Sequence, residues 1–294
     1  MNILVTGANG QLGTALRAAS RVSCDRWIFT DVTQYRDIET VSLDITDPEA
    51  VRIVCRSEHV DLIINCAAYT DVEKAEEDHY GADLLNRQAP GFLAAAALDC
   101  GAKLVHISTD YVFRGNRPLP YAEDAAPDPT GVYGITKLAG ERAILETGCP
   151  CMIFRTAWLY SSRGKNFVLK IFRQLSGRPS VRVVYDEVGS PTYAPDLAEL
   201  LCRLVAERRF EPGIFHYAGA GVVSRYDWAR AIRDLAGAET CEILPCLSTE
   251  YPTKARRPAY SVLDTAKVRR VFGCDIPYWR DSLRRCISEL TAEQ

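Results

Sequence analysis

What most constrains this chain is the alternation of short apolar runs with helical patterns through its first half. NILVT (2–6), RWIFTD (26–31), DLIINCA (61–67), KLVHIST (103–109) and CMIFRT (151–156) each read as a buried strand. Between them QLGTALRAAS, DPEAVRIVCRSE, LLNRQAPGFLAAAALDCG and TGVYGITKLAGERAILETG carry helix-like spacing. Strands that are apolar on both faces need cover on both sides, and helical crossovers return the chain in the same direction. Local signals agree. Asp47-Pro48 offers an N-cap followed by proline at the first helical position, and Gly148 falls where the last of these helices should stop.

Beyond residue 156 the alternation loosens. NFVLKIFRQL, PDLAELLCRLVAERR and SRYDWARAIRDLAG read as helices, VRVVYDE and GIFHYAG as strands, and 244–264 as an irregular, proline-bearing stretch. There is no internal repeat and no low-complexity linker. The expected fold class is α/β, a Rossmann-like doubly wound parallel sheet with a smaller C-terminal substrate-binding cap. The dinucleotide-binding domain is expected over 1–156 with a returning segment at about 181–217, and the cap over 157–180 and 218–294.

Composition excludes several function classes. The net charge of −3 leaves no basic footprint for nucleic acid or an anionic membrane. The opening MNILVTGANG reads as a strand and turn rather than a secretory signal, and no apolar run approaches the roughly 18 residues of a membrane helix. A soluble, cytoplasmic protein is expected. The eleven cysteines include no C-x-x-C pair, and several sit in apolar runs such as LIINCAAY, so buried thiols are expected rather than a metal site or a disulfide framework.

VTGANGQLG places Gly7, Gly10 and Gly13 after the first strand and into the first helix, with Gln11 and Leu12 between the last two. A tight turn there lets backbone N–H groups and the positive helix end face a pyrophosphate. The spacing is G-x-x-G-x-x-G, so its position after an N-terminal strand carries the inference. Asp31 ends the second strand, 18 residues past the last glycine. An acid there can bond a ribose 2′-hydroxyl and would repel a 2′-phosphate, which favours NAD; the nearby Arg36 works the other way. Asp44 and Ile45, ending the third expected strand, are candidates to touch the adenine. Ala67, Ala68, Tyr69 and Thr70, leaving the fourth, should pass under the cofactor.

GVYGITKLAGE sets Tyr133 and Lys137 four residues apart on one helical face, where a cation can lower the pKa of a phenol. Thr109 closes the fifth strand, 24 residues before that tyrosine. A glycine turn, a strand-end threonine and Y-x-x-x-K together resemble the extended short-chain dehydrogenase/reductase superfamily. VTGANGQLG, AAYTDVEKAE, STDYVFRG, YGITKLAGE, RTAWLY, GSPTYAPDLA and RRPAYSVLD also fall in the order of the dTDP-4-dehydrorhamnose reductase family, from residue 1 to about 270.

That resemblance implies reduction of the 4-keto group of dTDP-4-dehydro-L-rhamnose, the last step of dTDP-L-rhamnose synthesis, with NADPH, or alternatively NADH, as donor. It implies Tyr133 as general acid, Lys137 as the cation that lowers its pKa and holds the nicotinamide ribose, and Thr109 as the group orienting the carbonyl. Asp110 and Trp158 would contact the substrate. Lys254, Arg256 and Arg257 in KARRP are candidates for its diphosphate, with Arg257 the leading one. A nucleotide sugar is the expected partner, and the chain could pair as a homodimer.

Two departures stand out. Glu187 occupies a position where the family commonly carries glutamine. Thr14-Ala15-Leu16-Arg17 lacks the carboxylate that holds a metal at some family dimer interfaces, so no metal is expected there. Two alternatives remain open: another sugar-nucleotide epimerase or reductase, and a non-catalytic dinucleotide-binding subunit like the regulator of methionine adenosyltransferase. Dehydration is disfavoured because Thr109-Asp110 is followed by Tyr111, where related dehydratases carry glutamate.

Overall fold

The computed structural model describes residues 1–292, and a seven-stranded sheet forms its centre. Strands β1 (Asn2–Thr6), β2 (Arg26–Asp31), β3 (Val41–Ser42), β4 (Leu62–Asn65), β5 (Lys103–Thr109) and β6 (Cys151–Thr156) follow the chain. Short strands β7 (Leu159–Tyr160), β8 (Ser180–Val184), β9 (Val188–Gly189) and β10 (Thr192–Tyr193) come next. Then follow β11 (Gly213–His216), β12 (Val223–Ser224) and β13 (Glu242–Cys246). The order across the sheet is β11-β6-β5-β4-β1-β2-β3, with every neighbouring pair parallel. Strand order therefore reverses between β1 and β4, where a doubly wound sheet opens a crevice at its carboxyl edge.

The helices are α1 (Gln11–Ala19), α2 (Pro48–Ser57), α3 (Val72–Ala75), α4 (His79–Asp83), α5 (Ala89–Cys100) and α6 (Val132–Glu146). After them come α7 (Phe167–Leu175), α8 (Ala194–Ala206), α9 (Arg225–Leu235), α10 (Ala266–Phe272) and α11 (Trp279–Ala292). Asp47 caps α2 as its sequence position suggests, its Oδ1 accepting the N–H of Glu49 at 3.0 Å and of Ala50 at 3.1 Å. α6 stops at Glu146, and Gly148 just beyond it takes φ +74.

Both faces of the sheet are covered. Leu12, Leu16, Leu197, Leu201, Val268 and Phe272 pack on one face, while Val51, Cys55, Leu93, Ala97 and Ile144 pack on the other. Removing each such large side chain from water contributes about 1.5–3 kcal/mol. A second core joins α7, α9 and α11 to β8 and β13 through Leu169, Val181, Val183, Trp228, Ile232 and Leu283.

The expected division of the chain needs two corrections. β8 pairs with β13 in the second core, so the return to the large sheet begins near β10 and α8 rather than at 181. α10, inside the expected cap range, packs its Val268 and Phe272 on the main sheet. Both follow from burial. Val181 and Val183 find apolar partners among α7, α9 and β13, and α10 packs next to β11. Positions 293–294 of the expected cap lie outside the described residues.

All eleven cysteines are free thiols, with Cys55, Cys149, Cys151, Cys241, Cys246 and Cys286 buried and Cys24 exposed. Among the described residues no helix is long and apolar enough to cross a membrane.

Candidate active site

A cleft of about 1550 Å³ runs along the carboxyl edge of the sheet and under the second core. Gly7 lines its floor with φ +64, and a Cβ there would lie 2.6 Å from the Ala67 nitrogen. The first turn thus rests directly on the chain leaving β4, and only glycine fits. Helix α1 starts after Gly10 with no side-chain cap and no acid in its first turn. Its leading N–H groups and positive end are left for an anion, a cradle that fits the pyrophosphate of a dinucleotide.

Gly10, Gln11, Leu12, Asp31, Asp44, Ile45, Ala67, Ala68 and Thr70 all line the cleft with Gly7. The Gln11 side chain is tied across to the cap, its Oε1 accepting from Asn166 Nδ2 at 2.8 Å. Asp31 already holds the turn, accepting the Asn9 N–H at 3.0 Å and the Thr33 N–H at 2.9 Å. Two sequence candidates fall outside the lining. Gly13 serves packing, since a Cβ there would sit 2.5 Å from the Gly7 carbonyl oxygen. Tyr69 turns away, donating its hydroxyl to Asp78 at 3.1 Å and its N–H to Asn86 at 2.8 Å.

Thr109, Tyr133 and Lys137 all line this cleft. The start of α6 is held by a carboxylate from the end of α3, with the Val132 N–H donating to Glu76 Oε1 at 2.9 Å. A Cβ on Gly134 would come within 3.0 Å of Pro129 and run into the Tyr111 carbonyl. That bare position lets α6 approach the end of β5 and brings Tyr133 edge-on to Tyr111, ring centres 5.4 Å apart. Thr109 donates to Asp110 Oδ1 at 3.1 Å and accepts the Tyr111 N–H at 3.2 Å.

The electrostatics differ from the expectation of a phenol acidified by lysine. Burial pushes the Tyr133 phenol well above its ordinary value, Asp110 and Tyr111 add to the rise, and the Thr109 hydroxyl pulls it back. Lys137 is turned inward instead, donating to the Ile107 carbonyl at 2.6 Å, with its nitrogen 3.3 Å from His106 Nε2. Burial brings the lysine down to about 8. Asp110 is also buried, which pushes its carboxyl up to about 6 against the pull of the nearby Ser261 and Thr109 hydroxyls, and its Oδ2 has no partner of good hydrogen-bond geometry.

The cleft wall facing away from the glycine turn comes from distant parts of the chain. Trp158 takes φ +47, an uncommon backbone for a bulky residue, and lays its indole against Gly189, where a Cβ would lie 2.6 Å from the ring. The Arg225 guanidinium stacks 3.5 Å over the Trp158 ring and lies 3.6 Å from the Glu187 carboxylate. Glu187 therefore has a cationic partner at the position that departs from the family pattern.

Arg257 lines the cleft, yet its Nη2 donates to Glu73 Oε1 at 2.6 Å, while Lys254 pairs with Glu77. Arg256 is exposed and outside the lining. The KARRP stretch thus works largely as a strap onto α3. Arg225, Tyr111, Asn9 and Thr33 also line the cleft. Sequence reading missed them because SRYDW looks like any amphipathic helix start, and Asn9 and Thr33 act through turns. Among the described residues no cluster of three or more His, Cys, Asp or Glu side chains is placed to hold a metal ion.

Comparison with known proteins agrees with this geometry. A family model described as the RmlD substrate binding domain matches residues 1–292. A dTDP-4-dehydrorhamnose reductase of Burkholderia thailandensis is 36% identical over all of both chains. The crystal structure of a dTDP-4-dehydrorhamnose reductase from Clostridium acetobutylicum superposes with TM-score 0.91 at 38% identity, covering 99% of this chain and 100% of that one. The Bacillus anthracis dTDP-4-dehydrorhamnose reductase, solved in complex with NADP, gives TM-score 0.88 at 35% identity, with 98% and 99% covered. A glycine cradle, a threonine–tyrosine–lysine centre and a full-length match lead to one conclusion: this chain belongs to the dTDP-4-dehydrorhamnose reductase family.

Proposed function

We propose that this protein reduces the 4-keto group of dTDP-4-dehydro-L-rhamnose to give dTDP-L-rhamnose, using NADPH, with NADH as the alternative donor. The observation that carries the reading is that Thr109, Tyr133 and Lys137 share one cleft with the Gly7–Leu12 cradle, at the carboxyl edge of the sheet. The cradle, Asp31, Asp44, Ile45 and the Ala67–Ala68 and Thr70 backbone hold the dinucleotide, and Lys137 holds its nicotinamide ribose. When bound, that cofactor supplies the hydride.

Tyr133 protonates the carbonyl oxygen as negative charge grows there. Burial keeps the phenol protonated at neutral pH, and because it also makes the phenol a weaker acid, the proton passes only as the carbonyl oxygen becomes an alkoxide. The Thr109 hydroxyl, shared at rest with Asp110, turns to the carbonyl oxygen and orients it against Tyr133. Asp110 Oδ2, lacking a partner, accepts a sugar hydroxyl. Trp158 packs on the sugar ring, and Arg225 and Arg257 meet the nucleotide diphosphate.

With its net charge of −3, the protein acts in the cytoplasm without nucleic acid or membrane, alone or as a homodimer. The test follows loss of reduced-cofactor absorbance on mixing purified protein, NADPH or NADH, and dTDP-4-dehydro-L-rhamnose. Turnover is expected, with Tyr133→Phe severely impaired. No turnover with either donor would sink the reading, and a fully active Tyr133→Phe would remove the proposed acid.

A further inference from the structure

Behind Lys137 a row of buried polar side chains runs inward to β1. Thr6, Asn65, His106 and Lys137 are each no more than 1% exposed. Their donors and acceptors can be assigned one by one. The Ala67 backbone N–H, which can only donate, lies 3.1 Å from Asn65 Oδ1, and the Thr6 hydroxyl reaches the same oxygen at 2.7 Å. The amide oxygen of Asn65 therefore faces them, and its Nδ2 faces His106 Nδ1 at 3.0 Å. An amide NH₂ has no lone pair to offer, so His106 Nδ1 must be the acceptor. Burial drives His106 well below its ordinary pKa, so the ring is neutral and its one proton is on Nε2.

That Nε2–H faces Lys137 Nζ at 3.3 Å. An ammonium has donors only, so two N–H groups would oppose each other. A free amine resolves the conflict, accepting from His106 and donating to the Ile107 carbonyl. The other groups that act on this nitrogen are few. Glu141, one turn along α6, and Cys66, leaving β4, both favour the charged lysine. The Glu141 charge is already compensated by Arg155 Nη2 at 2.7 Å. Tyr133 is the phenol one turn earlier on the same helix.

We propose that His106, fixed in its Nε2–H tautomer by Asn65, is a positioning residue that shifts Lys137 towards the free amine in the cofactor-free protein, so that binding of a nicotinamide ribose draws a proton onto the lysine. The ribose hydroxyls give the nitrogen acceptors that the imidazole denies it, and the anionic dinucleotide favours the cation. The proton comes from solvent, and no bond other than N–H forms. This inference rests on the ribose role given to Lys137 above. Its consequence is a linkage. Once pH exceeds the lysine's value in the free protein, cofactor affinity falls by up to about tenfold per unit, until the value in the complex is passed.

Two measurements test it. Long-range proton–nitrogen spectra of histidine-labelled wild-type protein report each tautomer directly, and the chain has only four histidines to assign. An Nε2–H neutral ring is expected for His106; an Nδ1–H ring or an imidazolium overturns the proposal. Calorimetric titration with NADPH, at and above about pH 8, in two buffers of different ionisation enthalpy counts protons taken up. Uptake of about half a proton per bound cofactor at about pH 8, rising towards one a pH unit higher, is expected in the wild type. In Asn65→Asp the carboxylate accepts from Nδ1–H, Nε2 becomes the acceptor, and the uptake should vanish. Cofactor binding by the wild type without uptake overturns this proposal alone. A protein that binds neither NADPH nor NADH overturns the dinucleotide reading and the ligand half of this proposal with it, while the spectra still decide the tautomer.

Discussion

The two ends of the cleft are built from different materials. At the dinucleotide end the surface is mostly backbone: Gly7 in its left-handed conformation, the uncapped start of α1, and the Ala67–Ala68 chain leaving β4. At the sugar end it is mostly side chains, with Trp158, Glu187, Arg225 and Arg257 arriving from four separate elements and loops. A backbone site tolerates changes in side-chain chemistry and fails when the chain's path changes. A side-chain site behaves the other way round. Tyr133 lines the same cleft as both surfaces.

The largest effect expected belongs to that tyrosine. Tyr133→Phe should lower kcat by about 10²–10⁴-fold while leaving cofactor binding intact, measured by steady-state kinetics beside calorimetry. A matching loss of cofactor affinity would place the tyrosine in the dinucleotide surface instead. Next comes Gly7→Ala. The added methyl meets the Ala67 nitrogen at 2.6 Å in a left-handed backbone, a strain of about 1–3 kcal/mol. Cofactor should bind at least about tenfold more weakly, with little change in the KM of the sugar nucleotide.

Arg225→Ala probes the opposite end. It removes the cation stacked on Trp158 and strands the Glu187 carboxylate, which burial already raises. The KM of the sugar nucleotide should rise at least about tenfold with cofactor affinity unchanged, since a hydrogen bond to a charged phosphate contributes roughly 1.5–3 kcal/mol. A loss of both affinities would mean that the two surfaces are not separable. The smallest effect is expected for Glu73→Gln, which loosens a half-exposed pair with Arg257. Thermal unfolding should shift by no more than about 1 kcal/mol, and any gain in sugar-nucleotide affinity would show that the glutamate competes for the arginine.

The same contrast explains what could be read from the amino acids alone. NILVT, LIIN and KLVHIST announce their burial through composition, and the glycine turn through position, so the sheet and the cradle were legible. Tyr133 and Thr109 were found by their offsets from those elements. What resisted reading depended on tertiary partners. The inward turn of Lys137 is set by His106 and Asn65, neither of which carries a local signal. Gly13 and Tyr69 sit inside recognisable stretches, yet one packs on the turn and the other turns to Asp78. β8 has an ordinary strand pattern that two sheets could have accepted, and its pairing with β13 and the apolar surfaces of α7 and α9 decide between them.

The short helix α3 has a consequence beyond its own length. Glu73 and Glu77 grip the strap that carries Lys254 and Arg257, and Glu76, between them in sequence, seats the first turn of α6. A single short segment therefore anchors both the strap that carries Arg257 and the helix that bears Tyr133. The two contacts share one short segment, so a change within residues 73–77 is felt both at the 254–257 strap and at the first turn of α6.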